Sequence, residues 1–187
     1  MTITIDVAPA DGCSLGAPET FFPPDLPEDW RLTFYANAFS AAYLPAARWM
    51  SAPVQTLADW RTDVHARFRF YLQRPAPLDD QAWLQAAAGA VAALAPGPAA
   101  FVTDPEDDHG PGVLLDPASV AGHRYIGGVL RSPRALNDDP RGARHWVQRQ
   151  LEARPGTDRW LILLERPTAT QLQRWRDLLD LLGHGFC

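Results

Sequence analysis

Three groups of residues in this 187-residue chain have the types and spacing to do chemistry. Asp104, Glu106, Asp107, Asp108 and His109 crowd hard oxygen ligands and one imidazole into a single loop. Carboxylates with an imidazole can hold a divalent cation, so this loop is a candidate metal site. The bland alternative is that an acidic run in a Pro/Gly-rich loop is simply solvated. Arg131, Arg134, Arg141 and Arg144 form the second group, around the start of a helix opened by Asp139 and Pro140. Guanidinium groups beside a helix N-terminus suit phosphate and other small anions. The competing reading is that these arginines answer Asp138, Asp139 and the acidic N-terminal half, as surface clusters commonly do. The third group is aromatic. Tyr43, Trp49, Phe70 and Tyr71 lie near strand ends, where they line a pocket or, as burial preference favours, fill the core.

Other chemistries are excluded. All 17 basic residues are arginines. Guanidinium stays protonated in proteins, which removes Schiff-base chemistry, a lysine general base and a Walker-A loop. Ser14, Ser51, Ser119 and Ser132 stand in no Gly-x-Ser-x-Gly elbow, so a hydrolase triad has no support. His65, His123, His145 and His184 lack ligand spacing, and His145 is expected to face solvent. Cys13 and Cys187 form no Cys-x-x-Cys pair; one bridge between them is geometrically possible, and a reduced pair is the expectation. A net charge of −5 and a pI near 5.4 oppose a broad nucleic-acid footprint. Charge is uneven, however. Residues 1–123 carry 15 acids against 6 arginines, and residues 124–187 carry 7 acids against 11 arginines. That asymmetry permits self-association or an anionic partner.

The elements that must position these groups alternate strand and helix. Strands are expected at residues 3–8, 41–44, 67–72, 99–103, 112–115, 125–130 and 160–164, the fourth running into the acidic loop. The last is wholly apolar, as a central parallel strand should be. Gly127 and Gly128 weaken the sixth. Helices are expected after Pro27, after Ser51 as N-cap, after Asp80, after Asp139 and over the stripe Leu172, Trp175, Leu178, Leu179 and Leu182, with Gly183 as C-cap. Such alternation implies βαβ crossovers and a mostly parallel sheet.

Several short motifs then fall in a familiar order. Phe21-Phe22-Pro23, Leu26-Pro27, Tyr35-Ala36-Asn37-Ala38-Phe39, Trp60, Phe68-Arg69-Phe70 and Pro75 resemble the first third of the YecE-like proteins, domain of unknown function family seventy-two. The resemblance covers about residues 12–75 and implies a TIM-like barrel, with a relationship to endonuclease-IV-like barrels. It also marks departures. Tyr43 stands where the family has its strand-two glutamate, Pro45 where it has asparagine, and Gln73 where it has lysine. Cys13, following Gly12, falls where tryptophan is usual, and the histidine expected after Pro75 is absent. Barrel chemistry sits at the C-terminal strand ends, and tyrosine, proline and glutamine there cannot supply an acid/base pair.

The expected architecture is therefore α/β: a single domain over residues 1–187, mostly parallel with alternating helices, and a truncated TIM-type barrel. A complete barrel needs about 250 residues, and the spacing between the fourth and sixth strands is too short for two more βα units. Such a sheet either stays open or closes with fewer strands; left open it would expose edges, so a homodimer is expected. No apolar run reaches the roughly 18 residues of a membrane span, and the N-terminus has no basic region of a signal peptide; a cytoplasmic location follows. The expected function is non-catalytic binding of a partner protein or small anion, without a cofactor. The alternative is a metal-dependent phosphodiesterase using residues 104–109 with Arg131 or Arg134.

Overall fold

Apolar runs bounded by proline, glycine or acids become strands, and every expected strand forms. In the computed structural model, which describes residues 3–75, 80–96, 98–103, 112–119 and 124–185, the strands are β1 Thr4–Pro9, β2 Ala41–Leu44, β3 Arg69–Arg74, β4 Ala100–Thr103, β5 Gly112–Leu115, β6 Tyr125–Ser132 and β7 Arg159–Leu164. The helices are α1 Arg31–Ala38, α2 Ala46–Trp49, α3 Val54–Asp63, α4 Asp80–Ala93, α5 Pro140–Glu152 and α6 Ala169–Leu181. All seven strands form one sheet in the order β1-β7-β6-β5-β4-β3-β2. Four neighbouring pairs are parallel and two, β4 with β5 and β5 with β6, are antiparallel. The α/β, mostly parallel expectation holds, while β5 departs from the all-parallel pattern of a TIM barrel.

The two end strands meet. Just beyond β1, the Gly12 N–H donates to the Tyr43 carbonyl at 2.8 Å, an isolated antiparallel bridge across the seam between β1 and β2. The sheet is thus nearly closed and barrel-like. Of the two outcomes the shortened sheet allows, staying open or closing with fewer strands, the structure is near the second. Curling β1 against β2 hides much of each edge, which serves the purpose a covering subunit would have served.

Period-two alternation assigns each strand an inner and an outer face. Inside the barrel, Tyr43 and Tyr71 sit opposite one another in register and are fully buried. Small Ala8, Ala41 and Ala100 and the aliphatics of β4–β7 complete that inner cluster. Two large rings among alanines fill the interior, as side chains do in a small barrel. The outer face carries Phe70, Phe101, Trp160 and Ile162, covered by helices that contribute Trp83, Val147 and Trp175. Tyr43, Trp49, Phe70 and Tyr71 are therefore core residues, none more than 1% exposed.

Two local expectations change. Ser51 does not cap α3; its hydroxyl donates back to the Ala47 and Arg48 carbonyls, and Pro53 stands at the N-cap. Helix α2 was not foreseen, because a single turn of four residues leaves no periodic signature. The last helix starts with a full capping box, Thr168 with Gln171, and Gly183 follows it with φ +74. Among the described residues no helix is long and apolar enough to cross a membrane.

Candidate functional site

The three strand-end positions singled out by the resemblance are all committed to structure. Tyr43 points into the barrel and is 1% exposed. Pro45 forms the N-cap of α2 with φ −56. The Gln73 side-chain oxygen accepts the Ala46 N–H at 3.0 Å, and its backbone oxygen accepts the Trp49 indole N–H at 2.9 Å. Gln73 thus ties the first turn of α2 to the end of β3. A residue bonded this way holds a helix in place and moves no proton.

The four arginines lie where the sequence put them, along the connection from β6 to α5. Arg131 is exposed at the end of β6, Arg134 is exposed in the 3-10 turn Arg134–Asp138, and Arg141 and Arg144 are exposed in the first turns of α5. The acids proposed as their partners are engaged elsewhere. Asp138 accepts the Gln171 side-chain amide at 2.8 Å and pairs loosely with Arg174 at 3.6 Å. Asp139 caps α5 by accepting the Gly142 N–H at 2.9 Å. That carboxylate occupies the helix N-terminus, so an anion approaching α5 would meet a negative charge at the amides it needs. The metal candidates Asp104, Glu106, Asp107, Asp108 and His109 lie outside the described residues. Among the described residues no three His, Cys, Asp or Glu groups gather as a metal site would require.

Sequence reasoning missed a polar cluster at the opposite, N-terminal end of the barrel interior. Asp6 on β1 is 5% exposed. It accepts the Arg69 Nε at 2.7 Å and a second, short bond from Arg69 Nη2, and it also accepts the Tyr71 hydroxyl. Arg159 on β7 stands over the same ring, its guanidinium carbon 5.9 Å from the Tyr71 ring centre. Burial works against the Arg69 charge, but the Asp6 bonds outweigh it and hold the guanidinium above its ordinary range. Burial, reinforced by the Asp6 charge, also raises the Tyr71 hydroxyl. Period two carried a signal: Asp6 and Arg69 each place a charge on the inner face of its strand, in line with Ala8 and Tyr71.

On the C-terminal side of β1 and β2, a cleft of about 430 Å³ opens between the loop after β1 and the start of α1. Cys13, Ser14, Glu28, Arg31 and Arg48 supply its polar and charged groups. Arg48 lies over the Trp60 ring, its guanidinium carbon 5.7 Å from the centroid, and Arg31 lies over Phe22 at 5.6 Å. Glu28 faces Arg31 at a loose 3.8 Å, with its carboxylate almost fully exposed. Arg48 has no carboxylate partner among the described residues. Gly12, at φ +62, makes room for it; a Cβ there would stand 2.6 Å from Arg48 Nη1.

Cys13 is a free thiol, 6% exposed, at the base of this cleft. Burial pushes it up to about 12, against the opposing pull of the Arg48 guanidinium. The folded value lies above the ordinary 9.0, so the stability linked to this thiol is complete below that pH and is lost as pH rises toward 12. In a Cys187→Ser background at pH 8, a disulfide reagent is expected to modify Cys13 far more slowly in the native protein than in denaturant. Equal rates would show that the thiol is neither buried nor suppressed.

No protein-family model, curated protein or solved structure matches this chain.

Proposed function

We propose that the chain is a non-catalytic, YecE-like protein that binds a small anion in the cleft between Cys13 and Arg48. The observation that supports this most is the state of Arg48. Its guanidinium is held by an indole face and a glycine gap, beside a second arginine, with no carboxylate taking up its charge among the described residues. An arginine pre-oriented in this way loses little side-chain freedom when an oxyanion arrives, which is the main cost of using so long a side chain. Ser14 adds a hydroxyl to the lining, and Glu28 offsets only one of the two cations. Phe22 and Trp60, the rings beneath the arginines, belong to the motifs that carry the resemblance. Cys13 in the position where tryptophan is usual leaves space for the ligand.

Catalysis is not part of the reading, because the strand-end positions hold Tyr43, Pro45 and Gln73 and each is spent on packing or backbone bonds. The homodimer expected from open sheet edges loses that support, since β1 and β2 face each other.

Titration with inorganic phosphate, followed by amide shifts in two-dimensional NMR, tests the site. Shifts are expected at residues 12–15 and 48. Arg48→Gln, which removes one charge-assisted donor, is expected to weaken them by roughly tenfold in affinity. Absence of shifts there, or an unchanged affinity in Arg48→Gln, would overturn the reading. Manganese-dependent cleavage of a phosphodiester, lost in Asp107→Ala, would replace it with the phosphodiesterase alternative.

A further inference from the structure

A second basic cleft lies at the other end of the barrel. Its volume is about 230 Å³, and it sits between the C-terminal end of α1 and the residues that lead into β3. Its lining includes Asn37, Ser40, His65, Arg67, Arg69 and Arg176, and no carboxylate. From this arrangement we infer a distinct site for a small tetrahedral oxyanion, a phosphate or phosphate monoester, on the N-terminal face of the barrel.

The roles of the three arginines differ. Arg69 is committed to Asp6 through both Nε and Nη2, so its charge is largely answered and its fork is occupied. Arg176 is anchored at one end only: Nη1 donates to the Ala38 carbonyl and, at 3.4 Å, to Gln173, while the guanidinium carbon stands 5.8 Å from the Phe39 ring centre. Its Nη2 and Nε make no bond among the described residues. Arg67 is exposed, its side chain without a hydrogen bond or ion pair among the described residues. Asp180, exposed, lines the small adjoining cleft of about 30 Å³ with Asp6, Arg69 and Arg176.

Geometry selects the ligand class. A planar carboxylate is best held by two parallel bonds from one free guanidinium fork. Here one fork is taken by Asp6 and another is partly taken by Ala38. What remains are single donors on the same cleft from Arg67 just before β3, Arg176 on α6 and Asn37 at the end of α1, which suits an anion with oxygens pointing in several directions. The volume is below that of a typical drug-sized pocket, which points to the phosphate group alone or with a short substituent.

The same phosphate titration reads this site through different amides, those of residues 37–40 and 67–68. Saturable shifts there are expected, weakened roughly tenfold in Arg67→Gln and unaffected by Arg48→Gln. Arg67 makes no side-chain bond among the described residues that folding would miss, so its substitution tests binding alone. Methyl phosphate binding more tightly than inorganic phosphate would identify an esterified source, and equal affinity the free anion; either supports the site. Three results would each overturn it: no shift at these amides, equal shifts with chloride at matched ionic strength, or unchanged affinity in Arg67→Gln.

Discussion

Asp6→Asn is expected to lower the unfolding free energy by about 3 kcal/mol. Asparagine keeps the shape of the side chain but removes its charge. The Arg69 side chain, 13% exposed, would then hold a cation in the barrel interior with no counter-charge. Arg159 on β7, over the Tyr71 ring with its guanidinium carbon 5.9 Å from the ring centre, is a further cation and supplies no counter-charge. Removing one partner of a buried pair commonly costs about 3–5 kcal/mol. The small cleft beside Asp6 and Arg69 admits some solvent, which places this case at the lower end. The double variant Asp6→Asn with Arg69→Met removes both charges and should recover much of the loss, because the penalty comes from the orphaned cation and only partly from the missing bonds. Chemical denaturation of the two single variants and the double reads the coupling directly. A loss below about 1 kcal/mol for Asp6→Asn, or simple additivity of the two changes, would mean the pair is solvated and does not organise the interior.

This cluster also shows where sequence reading stops. The strands were legible because each is a short apolar run between breakers, and β7, apolar at five consecutive positions, is the clearest. The late helices were legible because α6 repeats its leucines and Trp175 at helical spacing. Neither signal says which strands become neighbours. Asp6 and Arg69 are 63 residues apart, and only the curling of β1 toward β2 and β3 brings them together. The direction of β5 was likewise hidden, since four residues read alike in either direction. At the candidate site, the missing acid/base pair was visible at Tyr43, Pro45 and Gln73, but the work Gln73 does for α2 was not. A glutamine that caps a helix from a neighbouring strand leaves no local pattern. The cleft around Arg48 depends on Gly12 in a Pro/Gly-rich loop, whose course no periodicity predicts.

Gly127 reverses an expectation most sharply, and its substitution is the second large effect. On composition it weakens β6, because glycine has more backbone freedom to lose than any other residue. In the folded sheet it packs directly against β7. A Cβ there would overlap the Arg159 carbonyl oxygen and stand 3.0 Å from its carbon, with Leu114 Cδ1 at 2.9 Å on the inner side. A leucine methyl can turn away, but a carbonyl inside the β6–β7 ladder cannot move without disturbing that pairing. Gly127→Ala is therefore expected to cost about 2–3 kcal/mol, at the upper end of overpacking, despite alanine's lower entropic cost in the unfolded chain. Gly156, at φ +91 with nothing within 4 Å of an added Cβ, provides the contrast: substitution there strains the backbone without displacing a neighbour. Denaturation midpoints should therefore fall further for Gly127→Ala than for Gly156→Ala, and amide exchange should accelerate first along β6 and β7. A Gly127→Ala variant as stable as the parent would mean the two strands stand farther apart than this barrel requires.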